Sequence, residues 1–103
     1  MQPLPETPAV LIDEAIALRN IRAAQARFDT LGVKLRPHIK THKLIHFARM
    51  QVAAGARGIT CQKTSEAEIF ADAGFDDILI TYNVLGPDKC ARLRAMAQKT
   101  RLS

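Results

Sequence analysis

Apolar residues are arranged along the chain in two alternating ways, as short continuous runs and as positions that repeat every three or four residues. The short runs predict four strands, at residues 9–12, 33–39, 58–61 and 77–81. Each run is followed by a segment whose apolar residues fall on one helical face, and these segments predict four helices. The chain therefore alternates strand and helix four times.

Residues typical of helix ends mark the boundaries of these segments. Asp13 is suited to cap the first helix, and Pro87 is suited to the first turn of the last one. Ser65 and Glu68 have the spacing of a capping box, which predicts the start of the third helix. Glycines follow the first three predicted helices at Gly32, Gly55 and Gly74.

This order of elements predicts an α/β fold with a parallel sheet, because right-handed βαβ units bring successive strands side by side. The pattern fits both a doubly wound sheet and a (β/α)8 barrel of the TIM type. In either fold, active residues lie at the carboxyl ends of the strands. Those ends carry Lys40, the pair Cys61 and Gln62, and residues 81–83, which include Tyr82.

The second run is unusual because basic residues occupy alternate positions. One set is Lys34, Arg36, His38 and Lys40, and the intervening set is Val33, Leu35, Pro37 and Ile39. Side chains alternate across a strand, so the run predicts one apolar face and one cationic face. A strand between helices is usually apolar on both faces. Pro37 also lacks the amide that a central strand needs.

The composition indicates one small globular domain. The chain has 103 residues, 48% of them hydrophobic, and a formal net charge of +5. Trp is absent and other aromatic residues are few, which argues against a stacking platform for nucleic acid. Two distant cysteines indicate reduced thiols, and no signal peptide or membrane span is expected, so the expected location is the cytoplasm.

Lys40 is the leading candidate for chemistry on the residues alone. A lysine forms an imine with an aldehyde only as the neutral amine, and burial together with the charges of Arg36 and His38 would favour that form. The alternative is that Lys40 simply begins a solvated loop. Cys61, at a strand end, and Cys90 are more typical of small buried residues than of nucleophiles.

Two other interpretations of the basic segment remain open. His38, His42 and His46 are spaced by four and would share a face of one helix as zinc ligands, but Pro37 keeps His38 out of a helix interior. Residues 36–49 could form a phosphate-binding or nucleic-acid-binding patch, whose binding would weaken steeply with salt. Neither a GxGxxG nor a P-loop motif is present.

Several blocks of sequence resemble one enzyme family. They read TPAVLID at 7–13, LRPHIKTHK at 35–43, GARGITCQK at 55–63 and SEA at 65–67. Shorter matches continue at 73–74, 77–78 and 85–87. Together they closely resemble the N-terminal region of D-threonine aldolases, and the related eukaryotic-type D-serine dehydratases share much of the pattern.

The resemblance implies a pyridoxal 5′-phosphate enzyme of fold type III, built on an alanine racemase-like barrel. Lys40 would be the Schiff-base lysine, supported by His38, and the cofactor would act as electron sink. Gln62 and Tyr82 are expected, from position only, to line the cofactor pocket. An aldolase would cleave a β-hydroxy-D-amino acid to glycine and an aldehyde, and a dehydratase would convert D-serine to pyruvate and ammonia.

The resemblance also implies that residues 1–103 are only the N-terminal part of such a barrel domain, because a complete barrel needs about 200 residues or more. The run at 9–12 would pair with a C-terminal β domain, leaving three barrel strands. Ligands for the family's divalent metal are expected outside this chain. The full-length protein is expected to form a homodimer. Little activity is expected from residues 1–103 alone. A non-catalytic pyridoxal-phosphate protein is a further alternative, against which the TPAVLID block argues.

Overall fold

A three-stranded parallel sheet lies at the centre of the fold. The computed structural model describes residues 5–103. Strands β1 (Ile59–Cys61), β2 (Asp77–Ile80) and β3 (Arg101–Leu102) lie side by side in that order, and each pair is parallel. The predicted α/β class with a parallel sheet is therefore confirmed.

Four helices connect and cover the strands. They are α1 (Glu14–Thr30), α2 (Ile45–Ala53), α3 (Thr64–Asp72) and α4 (Pro87–Met96). Helix α1 begins after Asp13, whose Oδ1 accepts a hydrogen bond from the Ile16 amide at 3.0 Å, as a cap should. The predicted cap is confirmed. No helix within residues 5–103 is both long enough and apolar enough to cross a bilayer.

The second predicted strand is shorter and less regular than expected. Only His38 forms a ladder bridge, with Thr60 of β1. The carbonyls of Leu35 and Pro37 accept hydrogen bonds from backbone N–H groups in and just before β1. Pro37 has no amide to give in return, so the ladder cannot be complete. The chain then turns into a short 3₁₀ helix, Ile39–Thr41, which contains Lys40.

Two sequence predictions about element boundaries differ from the structure of residues 5–103. Residues 9–12 form no strand, and Val10 and Leu11 are 91% and 79% exposed, because no other described segment pairs with their backbone. Helix α3 does not begin with the predicted capping box of Ser65 and Glu68. It begins after Lys63, whose side chain makes no cap.

The two faces of the sheet differ as the alternating residues predicted. Ile39, Ile59 and Ile78 are fully buried and pack with Phe70 of α3 and Met96 of α4. On the opposite face, Arg36 and His38 lie with Thr60, Gln62 and Asp77, as their mutual contacts and the strand register show. The side chains of Arg36 and His38 therefore lie on the face opposite the one that packs against α3 and α4.

Candidate functional site

The carboxyl ends of the parallel strands bring the predicted site residues to one edge of the sheet. Lys40 lies in the 3₁₀ turn after the bridge at His38, Gln62 follows β1, and Tyr82 follows β2. Lys40 is exposed. Within residues 5–103 the only side chain that forms a hydrogen bond with Lys40 is that of His38, and this bond is to the Lys40 backbone amide. The Lys40 amine is therefore exposed and forms no hydrogen bond with a described side chain, so the expectation that Lys40 is buried is wrong.

His38 is held at both ring nitrogens. Its Nδ1 accepts a hydrogen bond from the Lys40 amide at 3.2 Å, and its Nε2 lies 3.2 Å from Gln62 Oε1. Because a backbone amide can only donate, Nδ1 must carry the lone pair and Nε2 the proton. His38 thus caps the turn that contains Lys40, and Gln62 Oε1 accepts a hydrogen bond from its Nε2–H.

Glu66 is a member of the site that the sequence analysis missed as a functional residue. It is only 6% exposed, and its two carboxylate oxygens accept from Lys43 Nζ at 2.6 Å and from the Gln62 amide at 2.7 Å. Burial acts to raise the pKa of Glu66, but the bonds from Lys43 and Gln62 outweigh it and hold the pKa below its usual value. The sequence shows that Glu66 belongs to the SEA block. It does not show the contacts of Glu66 with Lys43, 23 positions away, and with Gln62, 4 positions away.

A cleft of about 370 Å³ opens between the loops that follow β1 and β2. Gln62 and Tyr82 line it together with Lys63, Asn83 and Lys89. Lys40 and His38 lie outside this lining, and Gln62 is the residue that joins the cleft to His38. The structure therefore brings the four predicted residues to one edge, but only two of them to one cavity wall.

Arg36 does not play the part that the alternating pattern suggested. Its guanidinium lies 2.7 Å from Asp77 Oδ1, at the start of β2 and away from the carboxyl edge. Contact with Arg36 holds the pKa of Asp77 below its usual value, against the opposite effect of burial. Arg36 therefore neutralises a buried carboxylate, and the expectation that its charge acts on Lys40 is wrong.

The three histidines have separate partners. His42 lies 3.3 Å from Gln51 and His46 lies 3.1 Å from Glu14, each through Nε2, so they do not converge with His38. In the described part of the chain no three His, Cys, Asp or Glu side chains are grouped in a way that could hold a metal ion.

Cys61 is a structural thiol. It is fully buried, and burial, with the nearby Glu66 carboxylate, raises its pKa to about 12. A thiol in that state is a poor nucleophile. Cys90 is exposed, contrary to the expectation that it is buried.

Comparison with known proteins identifies the architecture. A D-threonine aldolase from Arthrobacter sp. is 47% identical over 98 residues, which cover 95% of this chain and 26% of that protein. A D-threo-3-hydroxyaspartate dehydratase from Delftia sp. (strain HT23) is 51% identical over 74 residues, covering 72% of this chain and 20% of that protein.

Solved structures agree with these sequence matches. The crystal structure of D-threonine aldolase from Filomicrobium marinum superposes with a TM-score of 0.92 and 39% identity, over 94% of this chain and 26% of that one. The chain thus spans about a quarter of the length of these relatives. The family model for the N-terminal domain of alanine racemase matches residues 12–101. The chain therefore belongs to the alanine racemase N-terminal domain family.

Proposed function

We propose that this protein is a pyridoxal-phosphate-dependent lyase that acts on β-hydroxy-D-amino acids in the manner of a D-threonine aldolase, with Lys40 as its Schiff-base lysine. Support comes from the relatives, which are named as D-threonine aldolase, 3-hydroxy-D-aspartate aldolase, D-threo-3-hydroxyaspartate dehydratase and D-serine dehydratase. All of these names describe a D-amino acid with a β-hydroxyl group.

The placement of the Lys40 amine is the observation that carries the proposal. It stands at the carboxyl end of a strand segment, on a turn capped by His38, with no ion pair among the described residues. Lys43, three residues later, is instead bound to a buried carboxylate. Of these two lysines, only Lys40 is available to condense with an aldehyde and release water.

The surrounding residues fit a bound cofactor of this type. When bound, pyridoxal phosphate supplies an electron sink for the substrate carbanion. His38 would fix the turn that carries the Lys40 amine, and Gln62 and Tyr82 would form a wall of the cofactor pocket. We also propose a divalent metal, with ligands supplied from outside residues 5–103; one relative, a D-threo-3-hydroxyaspartate dehydratase, has a variant solved in a form described as metal-free.

Borohydride reduction followed by peptide mapping tests the role of Lys40. Protein expressed from its complete gene is mixed with pyridoxal phosphate, reduced and digested, and the pyridoxyl group is expected on the peptide that contains Lys40. Lys40→Ala should abolish this label. Lys34→Ala, which removes another exposed lysine of the same segment, should retain it. A label on any other side chain would overturn the assignment.

Product analysis separates the two kinds of lyase. Aldolase activity gives glycine and an aldehyde, whereas dehydratase activity gives a keto acid and ammonia. We propose glycine as the amino-acid product from D-threonine, because the match to an aldolase covers the larger share of this chain. Pyruvate and ammonia from D-serine, without any glycine from D-threonine, would favour the dehydratase instead. We expect little turnover from residues 1–103 alone.

Location and assembly form a separate part of the proposal. Both cysteines are free thiols, which suits a reducing compartment such as the cytoplasm. We further propose that the complete protein is a homodimer, which sedimentation of the purified protein would test.

A further inference from the structure

We propose that Glu66 is a positioning residue for Lys40, acting through Gln62 and His38; this inference rests on the proposed role of Lys40. Three contacts connect the two residues in series. The Glu66 carboxylate accepts a hydrogen bond from the backbone N–H of Gln62, and Gln62 Oε1 faces His38 Nε2. His38 Nδ1 in turn accepts a hydrogen bond from the backbone N–H of Lys40. Lys43 binds the other oxygen of the Glu66 carboxylate.

Packing gives no reason for a carboxylate at this position. Glu66 is 6% exposed, and burying a charge is unfavourable unless the charge is paired and hydrogen-bonded. A carboxylate in the first turn of α3 gains from the helix dipole, but an exposed carboxylate would gain the same without losing its hydration. The burial of Glu66 is therefore explained by what its two oxygens hold.

The bond to the Gln62 amide fixes the direction in which the Gln62 side chain leaves β1. This hydrogen bond from the backbone N–H of Gln62 to the Glu66 carboxylate is short, 2.7 Å, and anchors the backbone just before helix α3. From that anchor the Gln62 side chain reaches the imidazole of His38, 24 residues earlier in sequence. Glu66 thereby determines whether an acceptor is present for the His38 proton.

The acceptor on Gln62 in turn selects the tautomer of His38. With Nε2–H directed at Gln62, the Nδ1 lone pair is left to cap the turn at Lys40. Without that acceptor the ring gains freedom to rotate or exchange tautomer, and the cap at Lys40 is lost. The predicted consequence of disturbing Glu66 is a less well oriented Lys40 amine and slower attachment of the aldehyde.

The test compares Glu66→Gln with Glu68→Gln in protein expressed from its complete gene. Glu68 lies on the same helix and pairs with Arg92 of α4, which lines the cleft, so its variant also loses an ion pair but breaks none of the contacts that connect Glu66 to Lys40. The measurement is the rate of Schiff-base formation after pyridoxal phosphate is added to cofactor-free protein, under conditions in which circular dichroism shows both variants folded.

Glu66→Gln should slow this rate by about tenfold to a hundredfold, the range expected when a reacting group is slightly misplaced. Glu68→Gln should stay within about twofold of the parent protein. Gln62→Leu should also slow the reaction, and the double variant of positions 62 and 66 should be no slower than the worse single variant, because both changes break one series of contacts.

Three outcomes overturn the inference while leaving the proposed function intact. They are an unchanged rate in Glu66→Gln, an equal loss in Glu68→Gln, and effects at positions 62 and 66 that simply multiply. Failure of the parent protein to form a Schiff base at Lys40 is distinguishable from all three, since it removes the proposed function itself.

Discussion

Replacing Asp77 with asparagine should destabilise the fold strongly, although the substitution changes neither size nor shape. The Asp77 side chain is 8% exposed and Oδ1 lies 2.7 Å from the Arg36 guanidinium, which is itself 21% exposed. Arg57 and Arg101 approach the other oxygen at 3.7 Å but are at least half exposed. The carboxylate is thus the shared counter-ion of three arginines.

The expected loss follows from these contacts. A part-buried charge-assisted bond of the Arg36 type contributes about 1.5–3 kcal/mol, and each exposed arginine adds at most about 1 kcal/mol. Arg36 also contacts the carbonyls of Ile59 and Asp77 at 3.4 and 3.3 Å, so its guanidinium is not left wholly unpaired. We therefore expect a loss of about 2–4 kcal/mol, somewhat below the cost of an isolated buried charge.

Urea unfolding followed by circular dichroism measures this loss, with Asp76→Asn as the matched control. Asp76 is the preceding residue and is exposed, so its variant should stay within about 0.5 kcal/mol of the parent. Equal midpoints for the two variants would show that the ion pair with Arg36 contributes nothing and would refute the reasoning.

The pH dependence has a definite sign. The pKa of Asp77 is held below its usual value by Arg36, so its contribution is complete above the unfolded-state pKa of about 3.9 and is lost as the pH falls through the lower folded value. The stability difference between the parent protein and Asp77→Asn should therefore shrink below about pH 4. A constant difference down to the acid transition would contradict this assignment.

Two further predictions concern the same sheet. Gly58→Ala should cost about 1–3 kcal/mol or more in urea unfolding, because a Cβ there would lie 2.4 Å from the Asp77 carbonyl and 2.6 Å from Arg36. The free-energy losses of Gly58→Ala and Asp77→Asn should combine less than additively, whereas those of Gly32→Ala, at an open site, and Asp77→Asn should add. Additive losses for Gly58→Ala and Asp77→Asn would contradict the close approach of Gly58 to Asp77. With a thiol reagent near pH 8 only Cys90 should react in the folded protein, and rapid reaction of both thiols would contradict the burial of Cys61.

The site was partly predictable because its chemistry follows strand ends. Lys40, His38, Gln62 and Tyr82 could be placed at one edge, since parallel strands end together. The contact between His38 and Gln62 could not be derived, because it depends on a bridge between His38 and Thr60 that fixes the register. Register is a property of pairing, and one chain segment does not specify it alone.

Glu66 shows more clearly the difference between what the sequence predicts and what only contacts between distant segments decide. From the sequence alone it had no role beyond its place in the SEA block at 65–67. Only the approach of Lys43 from 23 residues away makes it a buried charge with two partners. Likewise the Arg101–Leu102 strand is too short for any periodic pattern and exists because β2 offers an edge to it.

The sequence by itself determined the order of the helices, strands β1 and β2, the Asp13 cap and the two-faced character of residues 33–40, because these depend on local backbone preference and on alternation within one segment. The tertiary structure decided which partner each charge received, with Arg36 joined to Asp77 and Glu66 to Lys43. It also left residues 9–12 unpaired, although their sequence is that of a strand. Hydrogen bonds and ion pairs between distant segments form only when folding removes water from between them, and no local pattern contains that information.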